Sequence, residues 1–239
     1  MRAVYLTGHG GNEVVAIGER PMPELKPGHA LIEMKASGLN RVDLYMRDSG
    51  AGITHTLPQV LGLDGAGIVA AVPAGETRLA VGQPVVIHPA LGCGRCAFCQ
   101  RGEHVLCTSM KFMGEHCDGT WSEFACVPVG NVFEKPAPLD FVEAAALSVS
   151  YITAWRMVFT KAAVKPWETV LIFGIGGSVS LAALQLVTLL GARAIVTSRD
   201  AGKLARATAL GADGVIDGSR QDIARTALAM TDGRGVDVV

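Results

Sequence analysis

Apolar and polar positions alternate with a period of two over residues 30–36, where Ile32, Met34 and Ala36 take one side and Glu33 and Lys35 the other. That is the pattern of a half-buried strand. Gly65–Val72, Gln83–Ile87 and Phe124–Val129 carry similar short runs between glycines and prolines, so the chain to about Pro138 predicts short β-strands. From Glu143 longer alanine-rich stretches begin, and beyond Lys165-Pro166-Trp167 strand and helix patterns alternate. Alternation of this kind predicts an α/β unit, a parallel sheet covered by helices. Thr169–Phe173 reads as its first strand, leading through glycines into a helix that ends at Leu190; Ala194–Ser198 reads as the second strand and Gly202–Leu210 as the next helix. Val215-Ile216 predicts a short third strand, Gln221–Met230 a helix, and Val236–Val239 the start of a fourth strand. A doubly wound dinucleotide-binding sheet has six strands in two halves, so this pattern predicts the first half of one and reads as a truncated sheet.

Residues 170–190 carry no charge over 21 positions, enough to span a bilayer. Gly174, Gly176 and Gly177 near the start explain the run differently, as a strand, a tight turn and a buried helix, and no membrane partner is expected. Composition points the same way. The 239 residues hold 21 Lys and Arg against 22 Asp and Glu, a net charge of -1, which offers no field for nucleic acid or an anionic surface. A small-molecule substrate and other copies of the chain, as a homodimer or homotetramer, are the expected partners. The opening MRAVYLTGHGGNEV lacks a basic segment followed by an apolar one, so a cytoplasmic location is expected.

The densest chemistry is Cys93-x2-Cys96-x2-Cys99-x7-Cys107, four thiols within fifteen residues, with Gly92, Gly94 and Gly102 to let the backbone wrap. Four thiolates can close a tetrahedron around zinc and leave no open position, which makes a structural site. Disulfides suit a neutral cytosolic chain poorly, and an iron–sulfur cluster is the competing occupant. His88 and His116 flank the lobe but are expected as ordinary hydrogen-bonded histidines, since the cysteines already fill the shell. Cys117 and Cys126 are expected as buried thiols, with a reactive Cys117 as the alternative.

The cysteine spacing, together with Gly38-Leu39-Asn40-Arg41-Val42-Asp43, Leu61-Gly62-Leu63-Asp64-Gly65-Ala66-Gly67 and the glycine turn at Gly174, resembles the zinc-type alcohol dehydrogenases of the medium-chain dehydrogenase/reductase superfamily. The resemblance covers the whole chain. It implies a GroES-like β-rich domain over residues 1–148 with a zinc lobe at 88–110, then the first half of a Rossmann domain over 149–239, with the active cleft between the two. Where the zinc alcohol dehydrogenases place a cysteine and a histidine on the catalytic zinc, this chain has Asn40 and Leu63, and Ser148-Val149-Ser150-Tyr151 lacks the third ligand, a cysteine. The quinone and enone reductase branch shows this pattern, with Asn and Tyr at the positions of Asn40 and Tyr45. Those two residues are the expected catalytic pair, and Asp43 and Asp64 are either polar supports of the cleft or surface charges.

A glycine turn between strand and helix lets a backbone approach a pyrophosphate, and the helix N-terminus favours its charge. Gly174, Gly176 and Gly177, with Ser178 and Val179 opening the helix, are the expected cofactor contacts, and Thr153 resembles a family threonine near the nicotinamide. An NAD enzyme ends its second strand on an acid that binds the ribose 2'-hydroxyl. Here Ser198 stands there, followed by Arg199 and by Lys203 one turn on, so NADPH is the expected cofactor; Asp200 would supply the NAD-type acid if shifted by one residue. The expected activity is hydride transfer from NADPH to a quinone or α,β-unsaturated carbonyl, without catalytic zinc. A zinc-dependent alcohol dehydrogenase and a non-enzymatic NADPH-binding protein are the alternatives.

Overall fold

Alternating burial organises the first part of the chain into antiparallel strands. A computed structural model describes residues 1–239 as two units, Met1–Val149 and Ser150–Val239. The first contains β1 (Arg2–Leu6), β2 (Val15–Glu19), β3 (His29–Ser37), α1 (Arg41–Ser49), β4 (Gln59–Val60), β5 (Gly65–Ala71), β6 (Pro84–Ile87), β7 (Ala90–Leu91), α2 (Ala97–Gln100), β8 (Lys111–Phe112), β9 (Phe124–Pro128), β10 (Val132–Glu134) and α3 (Phe141–Ala145). Five strands form a sheet of order β10-β6-β5-β3-β9, and three form a second of order β2-β1-β4. Ala30, Ile32, Val69, Val85, Ile87, Val127 and Val132 fill the core of the larger sheet. Met34 and Ala36, expected inside with Ile32, are only half-buried. The register of β3 against β5 shifts between Leu31 and Ile32 and again between Met34 and Ala36, which breaks the simple alternation just before the strand delivers Asn40.

Residues 119–121 run against 60–62: Gly119 N–H donates to Val60 O at 2.9 Å, Thr120 N–H to Gly62 O at 3.0 Å and Trp121 N–H to Leu61 O at 2.9 Å. The backbones approach so closely that a Cβ on Gly119 would lie 2.1 Å from Gly62 O and 2.5 Å from Leu61 O. Only glycine fits.

Helix α4 (Ser148–Trp155) continues into a π-helical segment, Arg156–Lys161, whose one buried side chain is Val158. The second unit then alternates β11 (Thr169–Ile172), α5 (Ser178–Leu190), β12 (Arg193–Ser198), α6 (Ala201–Ala209), β13 (Gly214–Asp217) and α7 (Ile223–Ala229), in a parallel sheet of order β11-β12-β13. All four residues of β11 are buried, as a strand covered on both faces requires. Ala182, Ala183, Leu184, Leu186 and Val187 form the buried face of α5, which ends on Gly191 in the left-handed region at φ 79°. No helix is long and apolar enough to cross a membrane. Asp200 and Asp222 cap α6 and α7 by accepting from Lys203 N and Arg225 N, which fixes both helix starts and makes α7 shorter than expected. Val236–Val239 comes alongside β11, as expected of the start of a fourth strand, but is too briefly paired to count as one. It makes one parallel bridge, Val170 to Val238, with Leu171 N–H donating to Val238 O at 2.9 Å.

Gly119→Ala should therefore destabilise the protein by about 3 kcal/mol or more, because backbone rather than a mobile side chain would have to yield. Urea denaturation followed by circular dichroism tests this against Gly130→Ala, where a Cβ meets nothing within 4 Å and the change should be near neutral.

Candidate active site and metal centre

The zinc lobe is built from short turns. Cys96 is the extended residue before α2, Cys99 lies buried within α2, a 3-10 turn at His104–Leu106 delivers Cys107, and Gly94 (φ 71°) and Gly102 (φ 80°) turn the chain between them. The four sulfurs lie within 4.8 Å of one another. A tetrahedron with Zn–S bonds of about 2.3 Å has edges of roughly 3.8 Å, so the set fits the ion with little adjustment. Backbone N–H groups already point at sulfur: Cys93 N–H and Ser109 N–H donate to Cys107 Sγ at 3.3 and 3.4 Å, and Cys96 N–H to Cys93 Sγ at 3.4 Å. The N–H groups of Cys99 and Thr108 bring the Cys96 thiol down to about 6, while burial pushes Cys99 up to about 12. A cation shared by all four removes that conflict, since metal binding selects the thiolate. His88 and His116 stay outside the cluster. Their Nδ1 atoms accept from Ala90 N–H at 3.2 Å and Phe112 N–H at 3.1 Å. Cys117 is exposed rather than buried, and Cys126 is half-buried, because both lie along a cavity of about 540 Å³ beside β9.

Around Asn40 the chain buries a polar group of another kind. Asn40 is 9% exposed at the start of α1, and its Nδ2 donates to Asp64 Oδ2 at 2.8 Å. The other oxygen, Asp64 Oδ1, accepts from Val149 N–H at 2.8 Å. Asp43, one turn into α1, accepts from Asn40 N–H at 2.7 Å and from Gly62 N–H at 3.2 Å. Neither aspartate is a surface charge: burial raises the pKa of both, that of Asp43 to about 6, and the N–H donors offset only part of the cost. Leu63 is a fully packed apolar side chain, and Ser148 Oγ donates to Ile87 O at 2.6 Å. None of Asn40, Leu63 and the stretch 148–151 offers a cysteine or a histidine. Tyr45, on α1, is 49% exposed, and its side chain is not hydrogen-bonded to Asn40.

In the second unit Gly174 adopts φ 64°, and its N–H donates to Thr197 Oγ1 at 3.1 Å while Ile175 N–H donates to Thr197 O at 2.9 Å. These bonds fix the turn to the neighbouring strand, so that Gly177 precedes α5 and Ser178 and Val179 open it with N–H groups lacking intrahelical acceptors. Lys203 lies over this turn: a Cβ on Gly176 would be 2.7 Å from Lys203 Nζ. Ser198 ends β12, Arg199 is exposed, and Asp200 is held by its capping bond and by donating its N–H to Ser198 Oγ at 3.1 Å. Thr153 is exposed on α4.

Residues 26–137 match the family described as alcohol dehydrogenase GroES-like domain, and residues 178–239 match zinc-binding dehydrogenase. The whole chain aligns at 32% identity with 70% of an NAD-dependent alcohol dehydrogenase of Sulfurisphaera tokodaii. The chain belongs to the zinc-type medium-chain dehydrogenase/reductase superfamily. A crystal structure of an NAD-dependent alcohol dehydrogenase, 42% identical, superposes on all of the chain and 70% of its own length with a TM-score of 0.97. A quinone oxidoreductase of Pseudomonas syringae pv. tomato, 30% identical, matches 98% of this chain and 64% of its own with a TM-score of 0.80.

As an oxidoreductase of this superfamily, the chain keeps the structural cysteines together and pairs Asn40 with Asp64, a contact that sequence spacing did not reveal. A buried-acid signal was present in the apolar run around Asp64, but its donor from Val149, 85 residues away, was not. Purified protein should carry about one zinc per chain, and Cys96→Ser should lower both zinc content and melting temperature. Elemental analysis finding two zincs per chain, or none in folded protein, contradicts the assignment.

Proposed function

We propose that this oxidoreductase reduces conjugated acceptors, quinones or α,β-unsaturated carbonyls, with NADPH and without a catalytic zinc. The observation that carries the reading is the buried set Leu63, Asn40 and Asp64, an apolar side chain and an amide–carboxylate pair where a zinc alcohol dehydrogenase needs metal ligands. NADPH, when bound, supplies the hydride. The rest falls to the chain's own groups. A simple carbonyl needs strong polarisation at its own carbon, whereas an enone or quinone spreads incoming charge to an oxygen that hydrogen-bond donors can hold. Asn40 has a second Nδ2 hydrogen beyond the one given to Asp64 and offers it to that oxygen. Tyr45 offers a hydroxyl proton from the exposed part of α1.

The cofactor reading rests on charge at two places. Ser198 ends β12 where an NAD enzyme has an acid, the exposed Arg199 follows it, and Asp200 is engaged as a helix cap. Lys203, expected beside Arg199 at the 2'-phosphate, lies instead over Gly176, and there it and the open N–H groups of Ser178 and Val179 would serve the pyrophosphate, which NADH and NADPH share. The names of the curated relatives favour a second reading, an NAD-dependent alcohol dehydrogenase, against which the ligand changes weigh.

Arg199→Ala should narrow the NADPH over NADH preference by about 1.5 to 3 kcal/mol, whereas Lys203→Ala should weaken both cofactors alike. Direct titration of each cofactor separates the cases, and equal affinities in the unmodified protein favour the NAD reading.

Steady-state kinetics test the chemistry. Asn40→Ala should lower kcat about 100-fold on quinones or enones, and Tyr45→Phe only about 10-fold, because water can replace an exposed donor. Robust oxidation of simple alcohols, lost on chelation and restored by zinc, would favour the alcohol dehydrogenase instead.

A further inference from the structure

Three stretches of chain, those around Asn40, Leu63 and Ser148 to Tyr151, stand where catalytic zinc ligands would be, and one side chain touches two of them from the third. Asp64 sits beside Leu63 and is 2% exposed. It accepts from Asn40 Nδ2 with Oδ2 and from Val149 N–H with Oδ1, both at 2.8 Å. Its backbone carbonyl accepts from Thr120 Oγ1 at 2.6 Å and from Gly38 N–H at 3.3 Å, so the residue is held at both ends. Each carboxylate oxygen has a donor, and each donor comes from a different segment. A zinc ion in this place would cross-link the same stretches.

We infer that Asp64 is the positioning residue of the metal-free site: its carboxylate takes over the cross-linking of the three segments and fixes the amide of Asn40. The inference rests on the reading of Asn40 as the donor to the substrate oxygen. An ionised carboxylate only accepts, so it selects the rotamer of Asn40 in which nitrogen, not oxygen, faces Asp64. One Nδ2 hydrogen is thereby used, and the other has a fixed direction. An amide free to turn over would present its oxygen half of the time, repelling the charge that develops on the substrate. Carboxylate orientation also explains why a buried acid is retained where burial alone favours an apolar residue.

Asp64→Asn keeps the volume and the bond from Val149 but turns an NH2 toward Asn40, forcing its amide to flip. In the whole protein, with NADPH and a quinone, kcat should fall about 100-fold, the effect of losing one aligned donor, while KM changes less than threefold. Asp64→Glu, which keeps the charge, should recover part of the loss. The exchange Asn40→Asp with Asp64→Asn restores a carboxylate–amide pair and should return the melting temperature toward that of the parent without returning kcat. Selective 15N-asparagine labelling reads the clamp apart from turnover: the Asn40 side-chain amide should exchange slowly with solvent in the parent and shift in Asp64→Asn. Parent-like kcat in Asp64→Asn, with Asn40→Ala still impaired, overturns the inference and leaves the proposed function standing. Parent-like kcat in Asn40→Ala overturns the donor reading itself, and a freely exchanging Asn40 amide in the parent overturns the clamp whether or not any variant folds.

Discussion

A carboxylate taken out of water must be met by donors, and Asp43 and Asp64 set that demand at the centre of the first unit. Their donors are the backbone of Asn40, Gly62 and Val149 and the amide of Asn40, so meeting the demand brings together the start of α1, the turn between β4 and β5 and the start of α4. Each carboxylate remains harder to ionise than an ordinary one, because desolvation outweighs these bonds. The arrangement is costly. The Asn40 amide is held by one of these bonds, from its Nδ2 to Asp64 Oδ2.

Around that centre, backbone has to come close to backbone. Gly119 lies against Leu61 and Gly62, and Gly62 also donates to Asp43, so the glycine contact and the buried acid form one structural unit. In the second unit a similar economy of side chains operates at Gly174 and Gly176, where the turn is anchored to Thr197 and overlaid by Lys203. Glycine leaves the backbone N–H groups at the start of α5 accessible to an anion.

The zinc lobe is independent of both arrangements. Its four sulfurs come from fifteen residues, its turns are local, and the N–H groups directed at sulfur belong to the same loop. The groups that would hold the ion therefore all come from one stretch of chain, and none is borrowed from a distant element.

What the sequence by itself determined is local. The cysteine spacing, the strand-turn-helix at Gly174, the change from period two to alternating strands and helices, and the residue types at Asn40 and Leu63 are visible because each is written within a few residues. Tertiary structure decided what depends on distant contacts: that Asp64 is buried and bonded to Val149, that Lys203 reaches over Gly176, that Asp200 serves as a cap, and that Val236–Val239 makes one bridge and no strand. The π-helical turn at Arg156–Lys161 had no signal in residue type. Burial and hydrogen-bond partners are properties of chain segments brought together by folding, and a pattern along one segment cannot state which other segment will arrive beside it.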